Sequence, residues 1–102
     1  MTGKEIVNQV IEYSTPELDA AKDSIAAVLD KMLAAVPALQ ERGMSNLEIF
    51  AQADGFIRSQ LRRILNGNED FMVQRHDGPA LFHWSASVTN MIVDRFKSAA
   101  NI

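Results

Sequence analysis

Between positions 58 and 84 the chain gathers most of the side chains that could do chemistry. Arg58, Arg62, Arg63 and Arg75 bring guanidinium groups, His76, Asp77 and His83 bring titratable ones, and Phe82 and Trp84 bring flat rings. At about 100° per residue along a helix, Arg58 and Arg62 share a flank while Arg63 turns away from it. Guanidiniums at that spacing can clamp a phosphate or a partner's carboxylates in bidentate fashion. With Trp84 or Phe82 stacked on a ring, Arg58, Arg62 and Arg75 would make a binder of small anions or nucleotides. The plainer reading is a solvated flank near a helix C-terminus, where the helix dipole favours cations.

Catalytic and metal readings find less support. His76, Asp77 and His83 are metal-compatible types, but two histidines seven residues apart match no standard zinc or iron spacing. A His76–Asp77 dyad would need a nucleophile, and neither Ser85 nor Ser87 lies in a Gly-x-Ser-x-Gly elbow. No catalytic residue, metal ligand or cofactor is assigned on this basis. Asp54 falls inside an apolar stripe, as either a buried carboxylate or one half of an ordinary i,i+4 pair with Arg58. Gly55 beside it costs about 1 kcal/mol against alanine in a helix, unless it admits a close neighbour.

These groups must be positioned by helices. In Met44-Ser45-Asn46-Leu47-Glu48-Ile49, Ser45 and Glu48 form a capping box and Met44 and Ile49 a hydrophobic staple. The helix they open carries Leu47, Phe50, Ile57, Leu61 and Ile64 on one stripe and stops at Asn66-Gly67-Asn68. Thr2-Gly3-Lys4-Glu5 opens a first short helix in the same way. Thr15-Pro16 opens a second, with Leu18, Ala21, Ile25, Val28, Met32 and Ala35 at alternating steps of three and four. Pro37 should break or kink it.

Residues 69 to 84 admit two readings. Phe71, Val73 and Arg75 alternate as a strand does, and Asp77-Gly78 could turn a hairpin into Ala80, Phe82 and Trp84. Against that, Leu81, Trp84, Val88, Met91 or Ile92, Phe96 and Ala99 form a helical stripe with Asp77 as cap and Pro79 in the first turn. That stripe predicts a helix from about Pro79 to Ala99, preceded by an irregular segment in which Met72 either tucks under the bundle or marks an interaction site. Trp84 would then be a core residue whose indole N–H still wants an acceptor.

The expected fold is therefore all-α: one domain over residues 1–102, a small bundle of four or five helices with an irregular segment or short hairpin at 69–84. A chain of 102 residues without cysteine has no disulfide framework, no thiolate metal site and no cysteine nucleophile. The formal charge of −3 disfavours a general nucleic-acid coat. The halves differ, however, with eight acids and four bases in residues 1–51 but five acids and six bases in residues 52–102. No secretory or membrane-spanning run is evident, so a cytoplasmic protein is expected. The apolar stripe of the second helix, through Ile25, Val28, Leu29 and Met32, is wider than one neighbour needs and suggests a homodimer. The resulting expectation is a non-enzymatic interaction module. Its duty would be that of an adaptor, an inhibitor or a small bacterial or phage regulator bound to a protein partner.

Overall fold

The computed structural model describes all residues from Met1 to Ile102 as four helices and one hairpin. In chain order these are α1 (Gly3–Val10), α2 (Pro16–Glu41), α3 (Asn46–Leu65), β1 (Asp70–Arg75), β2 (Gly78–His83) and α4 (Ala86–Ala100). Helix starts follow the sequence signals. Thr2 and Ser45 sit in complete capping boxes with Glu5 and Glu48, and Thr15 accepts from the Leu18 amide ahead of Pro16. The 26-residue α2 is the longest element, at about 39 Å by the usual rise per residue, and runs much of the molecule's 51 Å length. Both α1 and α3 pack on α2, and α4 closes over α1.

Pro37 neither breaks nor ends α2, which continues to Glu41. The proline is exposed and about one turn from the C-terminus, so it removes only the one bond its amide would give to the Leu33 carbonyl. The buried line of α3 also differs from the expected stripe. It runs through Ile49, Ala53, Ile57, Leu61 and Leu65 in steps of four, leaving Leu47 79% exposed.

The helix expected from Pro79 is not formed. Residues 70–83 make an antiparallel two-stranded sheet, and α4 begins only at Ala86 with Ser85 as its cap. The fold is thus mainly helical rather than all-α. Alternation prevails because Phe71 and Val73 are buried, with Ala80 and Phe82 packed against the core beside them. His76 and Asp77 form the two-residue loop, and Gly78, at φ +121°, is the first residue of β2. Trp84 closes the far end, its amide donating to the Glu69 carbonyl at 2.7 Å. Given that register, the ladder bonds fall at Arg75–Gly78, Val73–Ala80 and Phe71–Phe82, and the amides of residues 79, 81 and 83 face outward. Pro79 therefore forfeits no ladder bond, as an edge position allows.

One core of nineteen buried apolar residues draws on every element except β2, whose Ala80 and Phe82 pack against it half-buried. Ile25 and Leu29 lie wholly within it, while Val28 and Met32 are half-buried at its margin. The width of the α2 stripe is used by α1, α3 and α4 of the same chain, so Ile25 and Leu29 are not offered to a partner.

Candidate functional site

Two places emerge from the residues singled out above. The first is a cavity of about 290 Å³ between the C-terminal half of α3 and the start of α4. Arg58 and Arg62 project from α3 into its lining, Trp84, Ser85 and Ala86 enter from the start of α4, and Glu69 stands on the loop ahead of β1. Arg58 is held in place: its Nε donates to Asp54 Oδ1 at 2.9 Å and its Nη2 to Asn90 Oδ1 at 2.8 Å. Asp54 is thus the partner in an ordinary i,i+4 pair at the edge of the stripe. Arg62, exposed and on the same flank one turn later, takes part in none of the ion pairs.

Trp84 is 3% exposed and packs against Phe71 and Phe82, each with a ring-centroid distance of 6.5 Å. Its indole Nε1 is the one buried side-chain polar atom in the molecule without a hydrogen-bond partner. Native interiors rarely leave such a group unmatched, because its desolvation goes uncompensated. Ser85 accepts from the Val88 amide, and the first amides of α4 have no partner within the helix.

The second place is the outer face of the hairpin. Met72 and Leu81 are directly opposed in a non-hydrogen-bonded pair, where side chains approach most closely, and are 60% and 62% exposed. Next to them His83 Nδ1 lies 2.7 Å from Asp70 Oδ1, and its Nε2 lies 3.8 Å from Glu69 Oε2. The histidine–carboxylate contact of this protein is therefore His83–Asp70, not His76–Asp77. Strand register brings together two residues thirteen positions apart, which adjacency in sequence could not reveal.

The expected cluster is accordingly divided. Arg58, Arg62 and Trp84 converge on the cavity, whereas His83 and Met72 lie on the hairpin face. Arg75, His76 and Asp77 sit exposed at the hairpin tip. Five residue pairs separate that tip from Asp70–His83, about 17 Å at the ordinary strand rise. Arg75 thus cannot share an anion with Arg62. No three His, Asp or Glu side chains gather as a metal set would.

Lys22 is a buried charge that the sequence reading passed over. Its Nζ donates to the Ile11 carbonyl at 3.0 Å and the Tyr13 carbonyl at 2.9 Å. Ile11 is the C-cap of α1, whose last turn contains no basic residue, so a lysine from α2 supplies the cation that helix end favours. The signal was present in the sequence, since Lys22 stands four residues after Leu18 and three before Ile25, within the apolar stripe.

No family of known proteins, no curated protein and no solved structure matches this chain.

Proposed function

We propose that this protein is a non-enzymatic interaction module that works as a homo-oligomer, with the outer face of the hairpin as its contact surface. The observation that supports this reading is the opposed pair Met72–Leu81. Other exposed large apolar residues, such as Leu47 and Met91, lie on separate helices. Met72 and Leu81 instead form a single patch on a rigid element whose opposite face is anchored in the core by Phe71 and Val73. Paired exposed apolar residues of this kind mark contact sites more often than isolated ones do. The patch is small, and a two-fold axis through it doubles the apolar area by placing like on like, the commonest geometry of homodimers.

Sedimentation velocity tests the reading. The wild-type chain should run as a dimer and Leu81→Lys as a monomer with the same far-UV helical spectrum, because the substituted side chain already points to solvent. A monomeric wild type at high protein concentration would remove the homo-oligomer. A Leu81→Lys variant that remained dimeric would move the contact to another face.

A further inference from the structure

We infer that the cavity between α3 and the start of α4 binds the phosphate group of a small anion. Three features of its lining favour the same kind of guest. Arg62 offers a full positive charge that no carboxylate of the protein neutralises. Arg58 presents a second guanidinium, oriented by its bonds to Asp54 and Asn90, with Nη1 left to donate. The start of α4, a helix of fifteen residues, brings Ala86 and its uncommitted amide into the wall, where partial positive charge accumulates. Trp84, only 3% exposed, walls the same cavity with its ring.

These donors come from two segments, α3 and the start of α4. A flat carboxylate, with two oxygens, meets fewer of them than a tetrahedral phosphate does. The volume of about 290 Å³ is at the lower end of the range for small-molecule sites, enough for a phosphate with a short appendage and too little for a dinucleotide. Glu69 opposes the guest. Its carboxylate shares the lining and weakens the field of the two arginines, so the site as it stands is set for modest affinity and is sensitive to that one residue.

Trp84 is the only tryptophan in the chain, which gives the cavity its own optical reporter. The test titrates inorganic phosphate, glycerol phosphate and acetate into the full chain at fixed ionic strength, reading Trp84 fluorescence and the thermal midpoint together. Phosphate or its monoester should change the fluorescence and raise the midpoint as the site fills. Arg62→Gln should weaken that affinity on the order of tenfold, as expected for loss of a charged donor. Glu69→Gln should strengthen it, and Arg63→Gln, which alters the same net charge outside the lining, should leave it unchanged. A tighter monoester assigns the appendage to the ligand, and equal binding assigns free phosphate. The proposal is overturned by an absent response to both phosphates, by acetate acting equally well, or by Arg62→Gln and Arg63→Gln behaving alike.

Discussion

Two glycines in helices illustrate how one substitution takes opposite signs from its surroundings. Gly3 donates its amide to Asp30 Oδ1 at 2.7 Å, and a Cβ there would collide with the Ala26 carbonyl oxygen and stand 3.1 Å from Oδ1. The contact docks the first turn of α1 on α2, and only a residue without a side chain permits it. Gly55 lies on α3 with nothing within 4 Å of the equivalent position. Its expected close neighbour is absent, and its cost is purely conformational. Gly3→Ala should therefore lower stability by about 1–3 kcal/mol, whereas Gly55→Ala should raise it by up to about 1 kcal/mol. Urea unfolding of the two variants checks both signs. Neither sign could be read from the sequence, where both residues are simply glycines in helical surroundings. Their neighbours are supplied by tertiary packing.

At the scale of elements, the local signals were legible and the long-range ones were not. Helix caps act within four residues, so Thr2, Thr15 and Ser45 announced their helices directly. The stripe from Val88 to Ala99 likewise gave most of α4. The error over Pro79–Trp84 arose because Leu81 and Trp84 satisfy a helical period by coincidence. The competing fact, that Phe71 and Phe82 share one buried sheet face, exists only once the strands pair. The start of α3 also bears on pH. The Ser45 backbone amide, and secondarily its side chain, hydrogen-bond to Glu48 and hold that carboxyl below its usual range. A carboxyl that titrates lower folded than unfolded contributes fully above its unfolded value, and the contribution is lost as pH falls through the folded one. Glu48→Ala should thus lower the thermal midpoint at pH 7, and its gap from wild type should narrow on acidification below the ordinary glutamate range of about 4.3. A gap that is constant with pH would assign the effect to helix propensity alone.

At the scale of the molecule, the hairpin is part of the fold's stability rather than an appendage. Phe71, Val73 and Trp84 belong to the same core as Ile6, Ile25, Ile57 and Ile92. A two-stranded sheet alone is marginal in water and here depends on that shared burial. Thermal melts followed by Trp84 fluorescence and by far-UV circular dichroism should therefore superimpose, as one cooperative unit requires. An earlier tryptophan transition would separate the hairpin from the bundle. The candidate sites were partly visible at this scale. Arg58, Arg62 and Trp84 do line one cavity, because the C-terminal half of α3 faces the junction between β2 and α4. Arg75 and His76 do not join them, because the strands carry the chain away and back. The dimer stripe on α2 was misjudged for a related reason, since the sequence does not show how many neighbours one long helix serves.

No helix is long and apolar enough to cross a membrane, and the strands form only one pair. Their two borders are not equivalent. Pro79 deprives the β2 border of one outward amide, leaving Leu81 and His83 as its donors, while β1 presents Asp70, Met72 and Gln74 without interruption. An incoming strand that adds to β2 loses a bond that one adding to β1 retains. Each molecule therefore has one border with three outward donors and one with two. Strand addition is thus favoured at β1 over β2 by the one bond that Pro79 withholds.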